Sequence, residues 1–164
     1  MKPLTCVVLV LVTWLLLSWP FHPGGLQDVF AGVLFAVLIA VFLSDIYPQR
    51  PERLLDPRRW LWLALYIPYF FYYCLKANLD VAYRVLHPDV PIRPGIVKVR
   101  TALQSDLAKT FLANSITLTP GTLTVDIVGQ DLYIHWIYIY TDDPEEQTRT
   151  IVQRFEPMLK EIFE

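Results

Sequence analysis

Two long apolar runs govern what this chain can become. Leu4–Trp19 carries no charge, and Leu26–Leu43 carries only Asp28, near its start. As helices rising about 1.5 Å per residue, such runs span roughly 24–27 Å, a little less than the ~30 Å hydrocarbon core of a bilayer. Neighbouring protein or local thinning of the bilayer accommodates a mismatch of that size. The intervening WPFHPGG reads as a tight Pro/Gly loop, so residues 1–46 predict a transmembrane helical hairpin. A removable leader is the competing reading of the first run. It is disfavoured because Ser18-Trp19-Pro20 is a poor cleavage site and a second apolar run follows at once.

Gly32, Ala36 and Ala40 recur at every fourth position of the second run and share one helix face. Small residues there let another helix approach closely, a common packing device in lipid. Asp28 and Asp45 lie at the ends of this run, and the interior of both runs lacks ionisable groups. A proton or cation path through the bilayer needs such groups along its length. The chain is therefore not expected to be a carrier by itself.

The segment 47–59 holds Arg50, Arg53, Arg58 and Arg59 against Glu52 and Asp56, and reads as a basic cytoplasmic loop. The WPFHPGG loop has no Lys or Arg and is expected to face outward. Residues 60–88 form a third membrane-associated segment. It begins WLWLALYIPYFFYYCL, with Pro68 inside, and continues with Lys76, Asp80 and Arg84 on one face and Leu75, Leu79, Ala82, Tyr83 and Leu86 on the other. Basic residues on both flanks favour a helix lying in the membrane interface. The length also permits a third span, and the sequence leaves both arrangements open.

From about residue 89 the composition becomes that of a small soluble α/β module. Residues 96–101 (IVKVRT) alternate as a strand. Ser105 is placed to cap a helix over Asp106–Ala113, with Leu107, Ala108, Phe111 and Leu112 as its apolar stripe. In Thr122–Val128, Leu123, Val125 and Ile127 are expected on one face and Thr122, Thr124 and Asp126 on the other. Gly129-Gln130-Asp131 turns the chain into Leu132–Tyr140, apolar on both faces as a central or doubly covered strand would be. Asp143-Pro144-Glu145 starts a last helix, which Pro157 should kink. The predicted fold class is a membrane α+β protein with a cytoplasmic β-α-β-β-α domain over 89–164. Its sheet is expected to be small and mixed, with two helices on one face.

The chemistry-bearing residues do not assemble into an active site. His135 sits within a strand without a placeable partner, and no Gly-rich phosphate loop follows a strand. Cys6 and Cys74 lie in apolar runs without metal-ligand spacing, so each reads as a small buried hydrophobe. No catalytic residue, metal or cofactor is expected. A net charge of −2 gives no basic signature for nucleic acid. The segment ANSITLTPGT, residues 113–122, contains no Cys, His, Lys or carboxylate. Its threonines are expected to satisfy backbone groups in an extended connector, and Pro120-Gly121 suits the centre of a type II turn.

Asn114-Ser115-Ile116-Thr117-Leu118-Thr119-Pro120-Gly121-Thr122 resembles the signature of the E component of Mrp-type (Mnh, Pha) multisubunit monovalent cation/proton antiporters. Ala77-Asn78, Val85-Leu86-His87-Pro88, Arg93-Pro94-Gly95-Ile96-Val97 and the His135-Trp136 pair carry the resemblance further. The resemblance implies a small accessory subunit of a Na⁺ (or K⁺)/H⁺ antiporter in a prokaryotic plasma membrane. Such a subunit supports assembly without an ion path of its own. Its implied partners are large antiporter-like subunits, small membrane subunits and lipid. The alternative reading is a stand-alone membrane-anchored module that senses a ligand or lipid.

Overall fold

A computed structural model describes residues 2–18, 25–42 and 56–164. The WPFHPGG loop through Gly24, Asp45, Arg50, Glu52 and Arg53 lie outside the described residues, as does the Cys6 side chain. The chain divides into two compact units, Met1–Asp56 and Pro57–Glu164.

The first unit is built from α1 (Lys2–Ser18) and α2 (Gly25–Phe42). Among the described residues, α2 is the one helix long and apolar enough to cross a membrane, and Val7–Ser18 is apolar but shorter. Gly32, Ala36 and Ala40 are the buried positions along the body of α2. A Cβ at Gly32 would stand 2.5 Å from Trp14 Cδ1 on α1. The indole Nε1–H of Trp14 donates to the Asp28 carbonyl at 2.9 Å, and its ring stacks on Phe35. The small-residue face thus meets α1 of the same chain, and its lack of side-chain bulk makes room for an indole.

The second unit begins at Pro57, upstream of the boundary at 88–89 that composition suggests. It contains α3 (Pro57–Leu86), β1 (Gly95–Arg100), α4 (Asp106–Leu118), β2 (Thr122–Val128), β3 (Asp131–Trp136), α5 (Pro144–Ile151) and α6 (Glu156–Phe163). The sheet order is β1-β3-β2, and both pairings are antiparallel. The expected mixed sheet is therefore replaced by an antiparallel one. The two-residue Gly129-Gln130 loop forces β2 and β3 antiparallel. β3 then lies between β1 and β2, and α4 crosses over it as in a split β-α-β unit.

One sheet face is buried by helices. Val97, Val99, Leu132 and Ile134 point into a core shared with Leu112 and Ile116 of α4, Ile151 of α5, Phe155, and Leu159 of α6. The other face, with Ile96, Leu123 and His135 in one cross-strand row, is exposed. β3 is thus the central strand but is covered on one face only. It ends at Trp136 rather than Tyr140, because β1 supplies no partner beyond Gly95. Ile137 and Ile139 instead exchange backbone hydrogen bonds with Arg93.

Two further expectations are corrected. A β-bulge between Thr124 and Asp126 breaks the alternation of β2. Leu123 and Val125 are exposed, whereas Ile127 packs on the core. One extra residue in a strand moves every later side chain to the other face. The last helix is also broken rather than kinked at Pro157: α5 stops at Ile151 and α6 starts at Glu156. Proline removes a backbone donor and clashes with the carbonyl four residues back. The chain resolves this in a turn over 152–155, where Phe155 N–H donates to the Val152 carbonyl at 3.0 Å.

Candidate functional site

The family-like segment is not an extended connector. α4 runs through Leu118, so Asn114, Ser115, Ile116, Thr117 and Leu118 are helical. Ser105 caps the start as expected, its Oγ accepting from Ala108 N–H at 3.1 Å. The buried stripe is Ala108, Leu112, Ala113, Ser115 and Ile116, while Leu107 and Phe111 are partly exposed. Continuing the helix buries Ile116, which an extended strand from residue 114 would not place beside Leu112.

A helix end leaves four carbonyls without intrahelical partners. Here hydroxyl groups serve two of the four, those of Ser115 and Ile116. Thr119 Oγ1 donates to the Ser115 carbonyl at 2.7 Å, and Thr122 Oγ1 to the Ile116 carbonyl at 2.6 Å. Thr124 Oγ1 reaches the Ala113 carbonyl at 3.1 Å, and Thr124 N–H donates to Thr117 Oγ1 at 3.1 Å. Four threonines therefore staple the end of α4 to the start of β2. Between them, Thr122 N–H bonds the Thr119 carbonyl across Pro120-Gly121, and Gly121 has φ +89°. That is the positive φ a type II turn demands at its third residue. A Cβ on Gly121 would lie 3.0 Å from Ile137 Cγ2 and 3.5 Å from Val81 Cγ2.

α3 closes over this staple. Tyr66 is buried and its hydroxyl meets Ser115 Oγ. Because Ser115 Oγ–H donates to the Phe111 carbonyl at 2.7 Å, the tyrosine must be the donor in the shared bond. Cys74 is a free thiol whose Sγ stands 3.7 Å from the Leu118 carbonyl. Tyr66, Phe70 and Tyr73 each place a ring about Phe155, with centroids 5.9–6.3 Å away. At the start of α3, Arg59 Nη1 donates to the Ile162 carbonyl at 2.8 Å, and Arg58 pairs with Glu161 at 3.3 Å.

In the second half of α3, Arg84 is turned inward, Asp80 is half-buried and Lys76 stays exposed. Arg84 is only 6% exposed. Its Nε and Nη2 bind both carboxylate oxygens of Asp80 at 2.9 and 3.0 Å, Nη1 donates to the Pro91 carbonyl, and Nη2 donates to Tyr140 Oη. The guanidinium also lies 4.1 Å from the Tyr138 ring centroid. The hydrogen bonds to Asp80 hold the arginine pKa above its usual value, against the opposing effect of burial. Leu75, Leu79 and Leu86 face outward, at 63%, 65% and 83% exposure.

His135 and Trp136 part company. His135 is exposed on the open sheet face, opposite Ile96 and Leu123. Trp136 is buried and packs edge-on against Tyr140. It lines a cleft of about 160 Å³ walled by α3, the Thr119–Thr122 turn and the α5–α6 break. Two cationic side chains also line this cleft, Lys76 and Arg154. The sequence gives no hint of Arg154, because a continuous last helix assigns it no special place. The regular spacing of Lys76, Asp80 and Arg84 is visible there, but not the direction in which it faces. Among the described residues, no group of three or more His, Cys, Asp or Glu side chains is arranged to hold a metal.

The fold is thus a small α+β protein with a membrane-length apolar helix, and its most distinctive segment builds structure rather than a reaction centre. The MNHE family model, Na⁺/H⁺ ion antiporter subunit, matches residues 7–162. The chain is 31% identical over 150 residues to the E1 component of the Na(+)/H(+) antiporter of Staphylococcus saprophyticus, covering 89% of this chain and 90% of that one. It is 39% identical over 105 residues to the E component of the Na(+)/H(+) antiporter of Alkalihalophilus pseudofirmus, covering 64% and 66%. Among solved structures, a chain of the membrane-bound sulfane sulfur reductase, an archaeal respiratory membrane complex, superposes with TM-score 0.80 at 42% identity over 99% of both chains. The chain belongs to the MNHE family of Na⁺/H⁺ ion antiporter subunits.

Proposed function

We propose that this chain is a small accessory subunit of a multisubunit Na⁺ (or K⁺)/H⁺ antiporter, supporting assembly and activity without an ion path of its own. Family membership points to the complex, and one observation carries the structural role. The outer face of α3 is an apolar stripe, Leu61, Leu65, Tyr72, Leu75, Leu79 and Leu86, on a helix whose Arg84 is turned inward onto Asp80. Water does not favour such a stripe, whereas lipid or a neighbouring membrane subunit does. The chain is a multi-pass protein of the plasma membrane. The arginines at 50, 53, 58 and 59 keep its C-terminal domain on the cytoplasmic side. Charge-free span interiors leave cation and proton movement to the large partner subunits.

A second reading has a specific observation behind it. The full-length likeness to a chain of a respiratory membrane complex favours a role in a redox-linked assembly. Affinity isolation of the tagged chain from its native host in mild detergent, with mass spectrometry of the intact particle, separates the two. Large antiporter-like proteins without redox subunits support the antiporter reading. Co-purifying redox subunits support the respiratory one. A chain that migrates alone contradicts both.

A further inference from the structure

We propose that the cleft between α3, the Thr119–Thr122 turn and the α5–α6 break is a binding site for a phosphate group, borne by an acidic phospholipid headgroup or by free inorganic phosphate. The break at residues 152–155 directs Arg154 into this cleft while Phe155 enters the core. The Arg154 guanidinium lies 5.0 Å from the Tyr73 ring centroid and 6.0 Å from that of Phe155. Among the described residues, no carboxylate or carbonyl accepts a hydrogen bond from it. Burial lowers its pKa, against partial compensation from the nearby tyrosines. A half-buried cation without a counter-charge is costly, and an incoming anion removes that cost.

Lys76, on α3, lines the same cleft and has no ion pair among the described residues. Among the described residues, the only carboxylate on the wall, Asp80, is already held by Arg84 through both of its oxygens. Two cations with no free carboxylate to answer them select for an anion. A guanidinium held near aromatic rings spends none of its N–H donors on them, which leaves its fork for the paired oxygens of a phosphate. The cleft, of about 160 Å³, is many times the roughly 10–15 Å³ that a single water needs, so it has room for a phosphate. All of these groups belong to the second unit.

The test is a titration of the full-length chain in non-ionic detergent, with inorganic phosphate in one arm and dioctanoylphosphatidylglycerol in the other. Potassium chloride of equal ionic strength serves as the reference. Saturable binding is expected, weakened roughly tenfold or more by Lys76→Gln and by Arg154→Gln. Arg149→Gln, which removes a surface partner of Glu146, should leave it unchanged. Saturation by the lipid at lower concentration than phosphate assigns the site to a headgroup, and phosphate binding as tight or tighter assigns it to the free anion. Should Arg154→Gln fail to fold, the exposed Lys76→Gln decides alone. Absence of saturable binding in both arms, or binding to Lys76→Gln as tight as to the wild type, overturns the proposal.

Discussion

Threonine hydroxyls do at the end of α4 what a glycine-based cap does at many other helices. The chain must then supply a tight reversal immediately afterwards, and Gly121 provides it at φ +89°. An L-residue there meets two penalties, the left-handed backbone and a 3.0 Å approach to Ile137 Cγ2. Gly121→Ala is therefore expected to lower stability by about 1–2 kcal/mol or more. A thermal or denaturant melt of the full chain reads this directly, and a wild-type midpoint would show that the turn has another way to form. The turn was legible in the sequence because Pro-Gly has few other uses. The helix before it was not. Ile116, Thr117 and Thr119 are β-branched and favour strands locally, yet burying Ile116 beside Leu112 outweighs that preference.

At the scale of elements, α3 is what the motif is built against. The direction of the hydrogen bonds at Ser115 makes an asymmetric prediction. Tyr66→Phe leaves Ser115 still bonded to Phe111 and should cost about 0.5–1.5 kcal/mol. Ser115→Ala leaves a buried tyrosine hydroxyl without its acceptor and should cost about 1–3 kcal/mol. In the double variant the second substitution should then add little, which a double-mutant cycle measures. Equal, additive costs would mean that the shared bond is not formed. α3 also shows the limit of pattern reading. Its two faces were evident from Lys76, Asp80 and Arg84 against Leu75, Leu79 and Leu86. Which face points inward is set by Pro91, Tyr138 and Tyr140 around Arg84, residues brought to it only by the fold. The bulge in β2 was hidden for a similar reason: TLTVDIV alternates without interruption as a sequence, and the extra residue shows only in its register against β3.

At the scale of the molecule, the division at Pro57 assigns α3 to the domain that composition starts some thirty residues later. Tyr66 belongs to the core cluster, and Trp62, Phe70 and Tyr73 pack against it. A fragment 57–164 in mild detergent is expected to melt cooperatively. A fragment 89–164, stripped of that cover, should bind hydrophobic dye and lack a sharp transition. Comparable melts for the two would show that α3 is an appendage. The succession of strands and helices, the capped helix starts at Ser105 and Asp143 and the hairpin loop at Gly129 were all readable locally. The join between α3 and the domain was not, because it rests on ring contacts between residues about eighty positions apart, such as Tyr73 and Phe155.

The central claim is that this chain serves assembly through a rigid structural motif. The direct measurement is the yield of intact complex, together with its apparent Na⁺ affinity, for Gly121→Val and Thr117→Ala expressed in the native host. Yield is expected to fall, most for Gly121→Val, while complexes that do form retain wild-type cation affinity. Normal yield with an altered cation affinity would contradict the claim and would place the motif in the transport path.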